Sequence, residues 1–191
     1  MSELMRYAAM LADREKKGLP PVERWNPPYC GELDLVIRRD GVWMHAGTPI
    51  GRAPLVRLFS TVLRREGDRY FLVTPVEKLG VVVEDAPFLA VLMRAEGEGE
   101  ARRLVFTTNV GDDVAAGPGN ALEMRAGPTG AAPYLHVRAG LEARVARAVY
   151  YDLAALGETR DTTDGPAFGV VSRGAFFPLG PAVGMLEEGA S

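Results

Sequence analysis

The stretch that most constrains the fold runs from Val42 to Lys78, VWMHAGTPIGRAPLVRLFSTVLRREGDRYFLVTPVEK. It reads as a strand, a Gly/Pro-rich turn, an amphipathic helix and a second strand. Upstream, the chain alternates from Glu32 to Arg38, with Leu33, Leu35 and Ile37 on one face and Asp34, Val36 and Arg38 on the other, the period of a half-buried strand. Asp40-Gly41 supplies the positive φ of a tight turn, so Val42 to His45 is expected to return as the hairpin partner. After Ala46-Gly47-Thr48-Pro49-Ile50-Gly51, apolar residues fall at Leu55, Val56, Leu58, Phe59, Val62 and Leu63, the stripe of a core-facing helix. Pro54 suits its first turn, Arg64 and Arg65 its last, and Gly67 its stop. Tyr70 to Thr74 follows as a strand.

A weaker copy returns at residues 134 to 157. Pairing Trp43-Met44-His45 with Tyr134-Leu135-His136 carries Ile50 onto Leu141, Leu58 onto Val149, Phe59 onto Tyr150 and Val62 onto Leu153. In that register Leu141, Val145, Val149 and Leu156 form the stripe of a second helix, Gly157 ends it, and Phe168 to Val171 echo Tyr70 to Val73. Two amphipathic helices preceded by strands also align by chance. The matching histidine and the four apolar matches favour a duplication.

The remaining segments read as β structure: Leu79 to Val83, Phe88 to Met93, Arg103 to Thr107, Ala121 to Arg125, and a closing hairpin from Gly169 to Phe177. The polar run Glu96-Gly97-Glu98-Gly99-Glu100 is an exposed turn. Before all of these, residues 2 to 17 place Leu4, Tyr7, Ala8 and Leu11 on one helical face, and Gly18-Leu19-Pro20-Pro21 stops that helix. Trp25-Asn26-Pro27-Pro28 continues as an extended linker, so the first compact unit is expected to start near Gly31. Residues after Met185 are expected to fray. The expected fold is α+β, with two halves built on a repeated strand-strand-helix-strand motif. Its boundaries are an N-terminal helix and linker at 1–21, an N-terminal half at 22–78 and a C-terminal half at 79–191.

Composition narrows the function classes. The 191 residues, 47% of them hydrophobic, allow one sizeable core or two small ones sharing an interface, and one fused globular body is the expectation. Twenty-two basic against 25 acidic residues give a net charge of −3, which provides no net field for nucleic acid or an anionic membrane. The apolar run Tyr7 to Ala12 is too short for a signal-peptide core, and no stretch approaches the ~20 apolar residues of a membrane span. A cytoplasmic location is the expectation, with neither nucleic acid nor membrane as partner. The single cysteine, Cys30, excludes an internal disulfide framework and a cysteine-rich zinc site.

Candidate chemistry gathers at the helix starts. Each expected helix N-terminus offers unpaired amides and a positive dipole end near an arginine, Arg52 in the first copy and Arg138 in the second, a combination that attracts phosphate or carboxylate. His45 and His136 are the only histidines, and they lie at paired places near strand ends. Strand-end hydrogen bonding accounts for them more simply than a metal, because no third or fourth ligand stands at short spacing. Cys30 lacks an adjacent activating residue. Glu77-Lys78 and Glu84-Asp85 can form a charged rim or a solvated turn. Asp112-Asp113 and Asp161 to Asp164 follow no calcium-loop pattern, and Gly117-Pro118-Gly119-Asn120 opens no helix as a phosphate loop would. Without a serine elbow or a carboxylate pair, an enzyme has no specific support and no catalytic residue or cofactor is assigned.

The ordered runs WMHAGTPIGRAPLVRLFSTVLRRE, YFLVTPVEK, VEDAPF, PYLHVRAGLEARVARAVYYDL and the closing FFPLG resemble the bacterial domain-of-unknown-function family 1285 over residues 22 to 180. The resemblance implies repeated structural motifs, a C-terminal half similar to pleckstrin-homology domains, and a ligand site between the halves. It also implies a nucleotide-like ligand and a role in signal transduction under oxidative stress. It carries over no catalytic residue. The resemblance further implies a tryptophan-bearing strand before the Phe-Phe pair, where this chain has Val171-Ser172.

The leading expectation is therefore a binding protein for an anionic, nucleotide-like molecule. Arg52 and Arg138 would meet phosphate, Trp43 or Tyr134 would stack, and His45 and Lys78 would serve as polar partners. The alternative is an adaptor that recognises a protein without a small ligand.

Overall fold

The structure is a computed structural model that describes residues 19–127 and 130–182. The helix expected at 2–17 and the end expected to fray after Met185 lie outside the described residues. Two compact units divide the chain, one reaching to Phe88 and including Ala139–Leu141, the other formed by Leu89–Arg138 and the residues from Glu142 onward. Both are mostly β, and two α-helices occur among the described residues.

In the first unit β1 (Tyr29–Ile37), β2 (Trp43–His45), β3 (Thr48–Pro49), β4 (Leu63–Glu66), β5 (Arg69–Val73) and β6 (Lys78–Val83) form one sheet in the order β3-β2-β1-β6-β5-β4. The expected hairpin is present, with Leu35 opposite His45 and Ile37 opposite Trp43. Leu33, Leu35, Ile37 and Trp43 are buried, as the alternation requires. Helix α1 (Ala53–Thr61) buries Leu55, Leu58 and Phe59. β6 was expected to open the C-terminal half. Instead it pairs parallel with β1 and antiparallel with β5, inside the first sheet.

Helix α1 is shorter than its apolar stripe suggests. The hydroxyls of Ser60 and Thr61 donate to the carbonyls of Arg57 and Leu58, both at 2.7 Å, back-bonds of a kind that weakens and bends a helix end. Leu63 to Glu66 then leaves as a strand opposite Arg69 to Leu72. Gly67, at φ 59°, is therefore the turn of a hairpin and not a helix stop. The compact part also begins earlier than Gly31. Val22 and Pro27 are buried, and Arg64 Nη1 donates to Val22 O at 3.0 Å and to Trp25 O at 2.7 Å.

The second unit contains a sheet ordered β10 (Leu122–Gly127), β11 (Gly130–Arg138), β12 (Leu141–Val145), β7 (Phe88–Glu96), β8 (Arg103–Thr108) and β9 (Asp113–Ala115). A three-stranded sheet follows, made of β13 (Glu158–Thr162), β14 (Gly165–Ser172) and β15 (Ala175–Pro181). Leu141, Ala143 and Val145 are buried while Glu142 and Arg144 are half-buried, so this stretch follows a period of two and is strand. Helix α2 starts only at Arg147 and runs to Ala154, burying Val149 and Leu153. The sequence pairing of the two copies had made Leu141 and Val145 helical.

The hairpins β2–β3 and β11–β12 turn on the same dipeptide. Ala46-Gly47 has φ of 48° and 70°, Ala139-Gly140 φ of 47° and 74°, the backbone of a turn with two left-handed residues. Matching the turns pairs Ala46 with Ala139, two positions out of step with the pairing of His45 and His136.

Candidate functional site

The residues at the start of α1 come together through local backbone bonds. Ile50 N donates to Trp43 O at 2.8 Å, which folds the chain after β3 back on β2. Arg52 then takes the N-cap position at φ −99°, its carbonyl accepting from Leu55 N and Val56 N. No side chain caps the helix, no acidic residue stands in its first turn, and Pro54 removes one donor there. Gly51, Arg52, Ala53 and Pro54 are all exposed. His45 Nδ1 lies 2.9 Å from Asp34 O, which only accepts, so that nitrogen carries the proton and the ring holds the strand end.

Trp43 does not join this surface. Only 2% of it is exposed, so its indole packs in the core and offers no ring face for stacking. Its Nε1 is buried without a hydrogen-bond partner. Lys78 belongs to a different cluster, on the opposite side of β6 from the buried Leu79. Its Nζ pairs with Glu66 Oε2 at 2.9 Å and stands 4.9 Å from the centre of the Phe71 ring.

That cluster was not anticipated. Across β1, β6, β5 and β4, the register aligns Glu32, Gly80, Phe71 and Arg64 in one row. Arg69 binds Glu32, which also accepts from the Tyr29 hydroxyl, and the Arg69 guanidinium lies 5.0 Å from the Phe71 centroid. Phe71 thus has cations within cation–π reach from two strands. The Lys78 ammonium, with Arg64 contributing, holds the Glu66 carboxyl below the usual carboxylate range. The sequence signal for the cluster is Gly80 inside an apolar strand, because a Cβ there would overlap the Glu32 carboxylate. All these charges are paired, so the cluster ties four strands together and presents no free cation.

In the second unit, Arg138 Nη1 is bonded to Asp112 Oδ2 at 2.5 Å. Tyr134 is buried, with the Arg125 guanidinium 4.1 Å from its ring centre. The expected phosphate and stacking contacts therefore already have partners within the chain. His136 Nδ1 lies 3.2 Å from Gly119 O, and the Asn120 amide donates to His136 O and Val137 O at 3.0 Å. Gly117 to Asn120 is thus a turn pinned to β11. Asp113 accepts from Thr107 and pairs with Arg94, which keeps its carboxyl low. Cys30 is exposed, with Sγ 3.4 Å from Pro28 O. No group of three or more His, Cys, Asp or Glu that could hold a metal ion occurs among the described residues. No helix among them is long and apolar enough to cross a membrane.

Residues 20–86 match the model of the domain of unknown function DUF1285, N-terminal domain, and residues 87–179 match its C-terminal domain. The chain belongs to the DUF1285 family. A crystal structure of a DUF1285 family protein from Silicibacter pomeroyi DSS-3 is similar at 49% identity and a TM-score of 0.84, covering 92% of this chain and 95% of that one. A DUF1285 family protein from Shewanella baltica OS155 is similar at 31% identity and a TM-score of 0.50, over 63% of this chain and 89% of that one. Comparison with curated proteins gives no match. Of the candidate residues, Trp43, His45, Arg52 and Lys78 fall in the DUF1285 N-terminal domain, and Tyr134 and Arg138 in the C-terminal one. His45 and Arg52 flank the turn into α1.

Proposed function

We propose that this DUF1285 protein binds an anionic, nucleotide-like small molecule without transforming it, and that the start of α1 supplies the anion contact. The observation that carries the reading is the anatomy of that helix end. Its N-cap is an arginine, no side chain caps it, and no acid stands in its first turn. A cation at the positive end of a helix dipole opposes the usual preference by about 0.3–1 kcal/mol. A bound phosphate or carboxylate reverses that sign, since it meets both the guanidinium and the helix end. Gly51 leaves open space beside the approach, because a Cβ there would meet nothing within 4 Å. His45 ends β2, the strand that precedes the turn into α1. Binding without turnover suits a sensor in signal transduction, with oxidative stress the setting implied by the family resemblance.

Isothermal titration of the intact chain against a panel of nucleotides tests the reading. At least one nucleotide should bind, and Arg52→Ala should weaken it about tenfold or more, the worth of one charge-assisted hydrogen bond. Equal binding by Arg52→Ala would remove the residue assignment. Absence of heat across the panel at millimolar concentration would remove the ligand class.

A second reading, an adaptor that docks a protein, draws on one observation. Val82, on the interior strand β6, is 54% exposed and lies in a row with Val36 and Met44 across the first sheet. A contiguous exposed apolar patch is the kind of surface that docks a protein. Pull-down partners lost on Val82→Lys and retained by Arg52→Ala would favour this reading over the first.

A further inference from the structure

We draw no further inference here: the strongest candidate, the apolar row of Met44, Val36 and Val82 across the first sheet, carries nothing beyond the second reading above, because nothing in the structure shows what covers it.

Discussion

Two single residues carry unusual local loads. Ala46 sits at φ 48° in the β2–β3 turn, where a side chain normally costs roughly 1–2 kcal/mol relative to the right-handed region. Asparagine tolerates that conformation and precedes a glycine here, which recreates the favoured Asn-Gly pair of such hairpins. Ala46→Asn should therefore raise the melting temperature by a few degrees, corresponding to about 0.5–1 kcal/mol, read by thermal denaturation. Ser172 is the opposite case. It is fully buried, accepts from Leu104 N at 2.9 Å and donates to Ala116 O at 2.8 Å, so one hydroxyl links β14 to β8 and to the segment after β9. Ser172→Ala leaves a buried amide without its acceptor and should cost about 1–3 kcal/mol, visible as a lower urea midpoint with an unchanged slope.

At the scale of elements, the uncapped start of α1 and the charged row of the first sheet make separable claims. Arg52 has the extended backbone of an N-cap, a geometry in which aspartate accepts from the helix amides and complements the dipole. Arg52→Asp should thus stabilise the protein by about 1 kcal/mol in chemical denaturation while abolishing nucleotide binding. A loss of stability instead would mean that Arg52 is held for structure. On the sheet, folding depresses the Glu66 carboxyl, first through the Lys78 ammonium. The unfolded chain therefore binds that proton more readily. The stabilisation is complete above the unfolded-state value of about 4.3 and is lost as the pH falls through the lower folded-state value. Glu66→Gln should flatten the acid side of a stability-versus-pH profile and leave its slope above pH 6 unchanged, measured by urea unfolding at successive pH values. Much of this element pattern was legible from residues alone. The β1–β2 hairpin follows from strict alternation around Asp40-Gly41, and the buried face of α1 follows from its helical spacing. What was hidden lay where two periods fit the same apolar residues. Leu141 and Val145 satisfy both a helical and a strand repeat, and only Ala143, buried between them, decides for strand. β13, with the sequence ETRDT, has no apolar alternation to read.

For the whole molecule, the expectation of two halves came from the repeated motif, and the chain divides into two compact units. The Lys78–Val83 run looks like the start of a new β region, since nothing local announces a parallel partner nearly fifty residues upstream. Residue type alone nominates Trp43, Lys78, Tyr134 and Arg138; in the fold Trp43 and Tyr134 are buried, and Lys78 and Arg138 are ion-paired. Burial depends on which strands become neighbours, and that is a property of topology. The β1–β6 pairing also sets an order in time. As the chain leaves the ribosome, β1 emerges with β2 as its neighbour on one side, and its other edge has no partner until Val83 has been made. Everything between, including α1 and the β4–β5 hairpin, is synthesised while that edge is open, so the first unit completes its sheet late and through a contact between distant segments.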